Sequence, residues 1–296
     1  MAAVVTRLFG NDVLSRVERL RISPLERRTN RTRGEHLHGK GGSSTEFTDF
    51  RDYVAGDDVR FVDWNIFSRL NRPYLKLYKH EEEMQVVILV DASSSMQFDG
   101  KLDRAKQLAA ALGLMGLMKL EQVSVYGCRS SETGPAILAP CSGRASMRRL
   151  FQFVEDLEAG GEQTIEGAVD AVLNRHRGRG VAIVLSDFLT MGDLTRPLNR
   201  LFSAGLEIHG LQILSPAEIQ PDISGDMRFV DCESGDTLDV TSAGDLLGIY
   251  QEHRARLESQ LETLCQQRNG RFLSISSQAP LDWVLFDLLR RRGWVR

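Results

Sequence analysis

An α/β fold built on a doubly wound, mostly parallel sheet is what this sequence predicts, and three observations carry the prediction. From residue 84 onward, apolar runs of strand length alternate with amphipathic segments of helix length, the pattern of a parallel sheet covered on both faces. The runs, VVILVD at 86–91 among them, are continuous rather than alternating, as strands buried on both sides must be. At 296 residues, 42% hydrophobic and 26% charged, the chain can bury a sizeable core and has an ordinary globular composition.

The strands are predicted at 86–91, 122–127, 181–186, 206–213 and, late in the chain, 271–275, with PAILAP at 135–140 as a short edge strand. Helices fill the gaps at 101–119, 146–159, 165–176 and 193–203, followed by a long one over 242–268 stopped by Asn269 and Gly270. Tyr250, Leu257, Leu261 and Leu264 recur on one face of that long helix, so it is expected to cover the sheet. LAAALGLMGLM, from Leu108 to Met118, is too short to span a membrane and repeats at helical spacing, which makes it a buried helix. An insertion at about 216–240 ends in MRFVDCESGDTLDV, which reads as an exposed β-hairpin around a Ser-Gly-Asp turn.

The first 80 residues differ in kind: glycine-rich and polar around 34–45, then aromatic and charged. They are expected to form an appendage docked on an α/β body at 81–296. Arginines at 7, 16, 19, 21, 27, 28, 31 and 33 make the N-terminal stretch basic, yet the whole chain carries −3 and shows no nucleic-acid signature. The arginines are expected to be solvated or paired with the acidic remainder. In GDDVRFVDW, Asp57, Asp58, Arg60 and Asp63 beside Trp64 are expected to cap a helix and anchor the appendage to the body. Cys128, Cys141, Cys232 and Cys265 are scattered without ligand spacing, and no secretory signal opens the chain, so a reduced, cytoplasmic setting is expected.

The chemistry gathers at one strand tip. VVILVDASSSM ends a buried strand in Asp91 and then aims Ser93 and Ser95 from the following loop. In an open parallel sheet, ligands collect beyond the carboxyl ends of the strands. A second run, VAIVLSDF, also ends in an acid, Asp187, and Thr164 precedes the helix at 165. Hard oxygen donors of this kind suit magnesium or manganese. The bland reading is that the serines cap a turn, Asp91 accepts backbone N–H groups, and Thr164 is an N-cap.

D-x-S-x-S at the first strand tip, a later threonine, and an aspartate after a further strand resemble the metal-ion-dependent adhesion site of von Willebrand factor type A domains. More closely, RDYVAGDDVRFVDWNIFSRLNRPYLKLYKHEEE running into VVILVDASSSM resembles the bacterial domain-of-unknown-function 58 family, whose genes commonly accompany MoxR-type AAA ATPases. That resemblance covers roughly residues 30–295 and implies a von Willebrand A-like, Rossmann-type fold. It carries over Asp91, Ser93, Ser95 and Asp187 directly. Thr164 carries over with a spacing one residue short, strict spacing falling on Gln163. The function implied is adhesion rather than catalysis: serines and threonine on the metal, aspartates acting through water, and a partner's acidic side chain completing the shell. A MoxR-type ATPase or its client is the partner so nominated.

Other chemistry finds less support. GEHLHGKGG imitates a P-loop through Gly34, Gly39 and Lys40, but Gly41 stands where a magnesium-binding hydroxyl belongs and no apolar strand precedes it. His36 and His38 lack a third ligand in sequence. A phosphotransfer enzyme using Asp91 as nucleophile is the best enzymatic alternative, though it would want an acid where Ser93 stands.

Overall fold

The computed structural model describes residues 5–25, 46–79, 84–129, 134–161, 165–176, 178–189, 193–222, 225–230, 236–241 and 246–296, with the backbone alone at 46–48 and 77–79. In chain order come α1 (Asn11–Val17), β1 (Glu46–Asp52), α2 (Trp64–Leu70), β2 (Tyr74–Lys79), β3 (Gln85–Asp91), α3 (Lys101–Met118), β4 (Gln122–Cys128) and β5 (Ala136–Cys141). Next follow α4 (Met147–Glu155), α5 (Ile165–Arg175), β6 (Gly180–Ser186), α6 (Thr195–Ser203), β7 (Leu206–Leu214) and the single turn α7 (Pro216–Ile219). The hairpin β8 (Met227–Val230) and β9 (Thr237–Val240), α8 (Leu247–Gln266), β10 (Phe272–Ser276), α9 (Leu281–Trp283), a π turn (Val284–Leu288) and α10 (Leu289–Arg291) complete the chain.

Two compact units result: Met1–Leu25 with Glu83–Arg296, and Glu26–Glu82. This departs from the boundary expected at residue 80, because α1 is amphipathic and its Val13, Leu14 and Val17 are buried in the main core alongside β3 and α3. Beyond α1 the chain pairs with its own C-terminal end, Arg21 N–H donating to Arg296 O at 3.0 Å and Ser23 N–H to Trp294 O at 2.8 Å. Arg16 reaches Asp282 at 2.8 Å and lies over the Phe286 ring, so at this position the basic stretch is paired within the body.

In the second unit, β1 and β2 pair antiparallel, with α2 between them in the chain. Asp63 caps α2, accepting from Asn65 and Ile66 N–H, and pairs with Lys76 at 3.0 Å. Asp57 pairs with Arg51, and Asp58 with Arg60. The expected capping is present, and these ion pairs are internal to the unit. Trp64 is 62% exposed, and Phe50 and Phe61 are exposed as well.

The large sheet runs β10-β7-β6-β3-β4-β5, all parallel except β5, which pairs antiparallel with β4. Counted along the chain this is the doubly wound order third-second-first-fourth-fifth-sixth, and it reverses direction between β3 and β6. One face carries Val86, Ile88 and Val90 of β3 against α1, α3, α4 and the C-terminal helical run. The other carries Val87 and Leu89 against α5, α6 and α8. Gly113 and Gly116 let α3 press close, since a Cβ at either would come within 2.8 Å of Leu150 or 2.7 Å of Val123. In α8 the second half covers the sheet through Leu261 and Cys265, with Leu257 and Leu264 packed beside them, while Ile249 in its first turn is exposed. β8 and β9 form the expected hairpin; its Ser-Gly-Asp turn lies largely outside the described residues.

Candidate functional site

The reversal in strand order sets the tips of β3 and β6 side by side, Val90 opposite Leu185, with Asp91 and Ser186 closing the two strands. Alternation along the strands turns Asp91, Ser186 and Gln212 of β7 toward the face that holds Leu89 and Val184. Asp91 is 3% exposed. Its Oδ1 accepts from Ser93 N–H at 2.9 Å, and its Oδ2 accepts from the Ser186 hydroxyl at 2.5 Å. Burial pushes the Asp91 carboxyl up to about 6; the Ser186 hydrogen bond opposes that rise, and the charge of Asp187 adds to it.

The loop after Asp91 folds so that Ser93 Oγ and Ser95 Oγ stand 3.0 Å apart, the first buried and the second half-buried. A neighbouring loop is stitched to it: Gly160 N–H donates to Ala92 O at 2.9 Å, and Ser94 donates to Gly161 O through N–H and hydroxyl, at 3.0 and 3.1 Å. That neighbour is the approach to α5, where Thr164 and Gln163 are expected to contribute; both lie outside the described residues.

Asp187 is buried too. Its Oδ1 accepts from Leu189 N–H at 3.1 Å and its carbonyl from Gln212 Nε2 at 2.9 Å, while Phe188 between them takes a left-handed backbone (φ 55°) and donates its N–H to Ser186 Oγ at 2.9 Å. The remaining oxygen, Oδ2, accepts from Lys101 Nζ at 2.8 Å. Lys101 opens α3 after two left-handed residues, Asp99 and Gly100, and is 1% exposed. Its ammonium also donates to Glu218 Oε1 at 2.6 Å. Glu218 belongs to a capping box on α7, its other oxygen accepting from Ser215 N–H at 2.7 Å.

Of the residues expected at the site, Asp91, Ser93, Ser95 and Asp187 thus lie on adjoining tips and loops at the reversal. Asp91 does accept a backbone N–H, as in the bland reading, yet turn capping leaves the buried Asp187 and Lys101 beside it unaccounted for. Ser186, Gln212, Lys101 and Glu218 were not anticipated. Only Ser186 had a signal, standing one residue before Asp187 in the same run; nothing local ties residue 101 to 187 or 218. Among the described residues no three His, Cys, Asp or Glu side chains gather as a metal-binding group. A cation here would therefore depend on the mixed hydroxyl and carboxylate set, whose hard oxygens fit magnesium or manganese. The ammonium of Lys101 already gives Asp187 a positive partner. His36, His38 and the P-loop-like segment lie outside the described residues. His209 is buried beside Glu207 and Trp294, opposite Ile183 in the middle of the sheet rather than at the strand tips.

The family described as "Protein of unknown function DUF58" matches residues 49–259. An uncharacterized protein of Mycobacterium bovis is 29% identical over 279 residues, 88% of this chain and 84% of its own. Among solved structures, the conserved hypothetical protein BatB from Bacteroides thetaiotaomicron is 15% identical over 65% of this chain and 90% of its own, with a TM-score of 0.39. Proximal thread matrix protein 1 from the mussel byssus, in a form with a zinc-occupied MIDAS motif, is 18% identical over 44% of this chain and 38% of its own, with a TM-score of 0.33.

Proposed function

Since the chain belongs to the DUF58 family, we propose that it is a metal-dependent protein interaction module in which Asp91, Ser93, Ser95, Asp187 and Thr164 hold magnesium or manganese. The observation that carries this reading is the gathering of two buried carboxylates and two hydroxyls at the strand-order reversal, one carboxylate already neutralised by an ammonium. A divalent cation bound there would supply a positive coordination point for an acidic side chain of a partner protein. The chain's own residues prepare that point. Ser186 and Ser93 N–H fix both oxygens of Asp91, and Gln212 and Leu189 N–H fix the turn that carries Asp187.

A phosphotransfer nucleophile at Asp91 would want an acid at the position Ser93 occupies. The family resemblance nominates a MoxR-type AAA ATPase, or its client, as the partner. A cytoplasmic setting is in keeping with the buried free thiols of Cys128, Cys141 and Cys265. Among the described residues, no helix is long and apolar enough to cross a membrane. The test is to purify the tagged protein from its own cells with magnesium, with chelator, and as Asp91→Ala. Partners should be retained only in the first sample. Recovery of the same partners in all three would overturn the reading, and phosphoester turnover lost in Asp91→Ala would favour the enzyme instead.

A further inference from the structure

We infer that Lys101 is a tethered cation that competes with the divalent ion for Asp187, and that Glu218 sets the strength of that competition. The inference rests on the metal reading of the site and adds to it a residue of this chain that tunes metal affinity. Lys101 is among the largest fully buried side chains of the protein, and its ammonium lies on two carboxylates, 2.8 Å from Asp187 Oδ2 and 2.6 Å from Glu218 Oε1. Burying the Lys101–Asp187 pair, with the half-buried Glu218 at its edge, is a poor way to gain stability, since apolar replacements of similar volume are often as good or better. The placement on a carboxylate of the candidate metal site therefore calls for a role in binding.

Exchange is feasible because Glu218 is fixed independently of Lys101. Its second carboxylate oxygen is held by Ser215 N–H, and its carbonyl accepts from the Tyr250 hydroxyl at 2.7 Å and from Arg254 at 3.2 Å, both on α8. When Asp187 turns to a divalent ion, the ammonium keeps a charged partner in place and is not left buried alone. With Lys101 on Asp187, the two candidate carboxylates and the ammonium sum to one net negative charge, which lowers the pull on a divalent ion. The direction follows from charge: deleting the ammonium must strengthen cation binding, whereas deleting its alternative partner throws it wholly onto Asp187 and must weaken binding.

Titration calorimetry with magnesium on wild type, Glu218→Gln and the Lys101→Met/Glu218→Gln double variant separates these effects. The double variant also removes the unpaired charge that could unfold a lone Lys101→Met protein. Relative to wild type, Glu218→Gln should bind magnesium about threefold more weakly or worse, and relative to Glu218→Gln the double variant should bind at least about tenfold more tightly. Adding Ser93→Ala to the double variant should erase the gain. A purely structural lysine would instead lower affinity when removed. If wild type binds magnesium and the double variant binds no better than Glu218→Gln, the competition is refuted and the metal reading survives. If neither binds magnesium, both fall together.

Discussion

Removing one hydroxyl outside the proposed metal ligands should damage the site by a calculable amount. Ser186 is fully buried, donates to Asp91 Oδ2 at 2.5 Å and accepts from Phe188 N–H at 2.9 Å. Ser186→Ala deletes both bonds at almost no change in volume. A hydrogen bond to a charged group is worth about 1.5–3 kcal/mol and a neutral one about 0.5–1.5 kcal/mol, and here both former partners are left in a buried setting. A loss of about 2–4 kcal/mol is expected from urea unfolding in chelator, with the slope m unchanged. A double-mutant cycle with Asp91→Asn should assign about 1.5–3 kcal/mol of this to the Ser186–Asp91 pair. A loss below about 0.5 kcal/mol, the level of an ordinary surface substitution, would refute the claim that Ser186 fixes the Asp91 carboxylate.

Magnesium at a hundred times its Kd should raise the unfolding free energy of wild type by about 2.7 kcal/mol and leave an Asp91→Ala/Asp187→Ala variant unmoved; equal gains in both would remove the ion from this site. His209 gives a pH signature apart from the metal: burial holds its imidazole below the usual range, Arg271 adding to the effect and Glu207 at 3.5 Å opposing it. The folded protein resists a proton that the unfolded chain takes up below about 6.5, so stability should fall with pH there at up to about 1.4 kcal/mol per unit, a component that His209→Phe should abolish. Deleting residues 1–25 removes Val13, Leu14, Val17 and Ile22 from the main core, each worth about 1.5–3 kcal/mol on burial, and should abolish cooperative melting. A truncated chain that melts like wild type would return α1 to the status of an appendage.

The strands were legible in the sequence because burial on both faces writes itself as a continuous apolar run. β3, β6 and β7 fall within a residue of their expected bounds, and the edge strand β5 and the hairpin were legible from the turn residues around them. Helix ends were less legible: α4 stops at Glu155 rather than 159, and α8 stops at Gln266 rather than 268. The place of α1 was hidden for a different reason. Arginines, mostly outside the helix, dominate the composition of the N-terminal stretch, while three apolar residues at helical spacing decide where it packs.

The candidate site divides along the same line. Asp91, Ser93, Ser95 and Asp187 were found because each stands at or just beyond the end of a strand, and a doubly wound order brings the first and fourth tips together however many residues separate them. Lys101 lies 86 residues from Asp187 and 117 from Glu218. It opens a helix at a position where a solvated lysine would be unremarked, and a buried charge has no period that a sequence could display. What gives it meaning is the closing of three separate loops on one point. The part of the site legible in the sequence is the set of oxygens that would hold an ion, and the part only the fold reveals is the charge that sets how tightly they hold it.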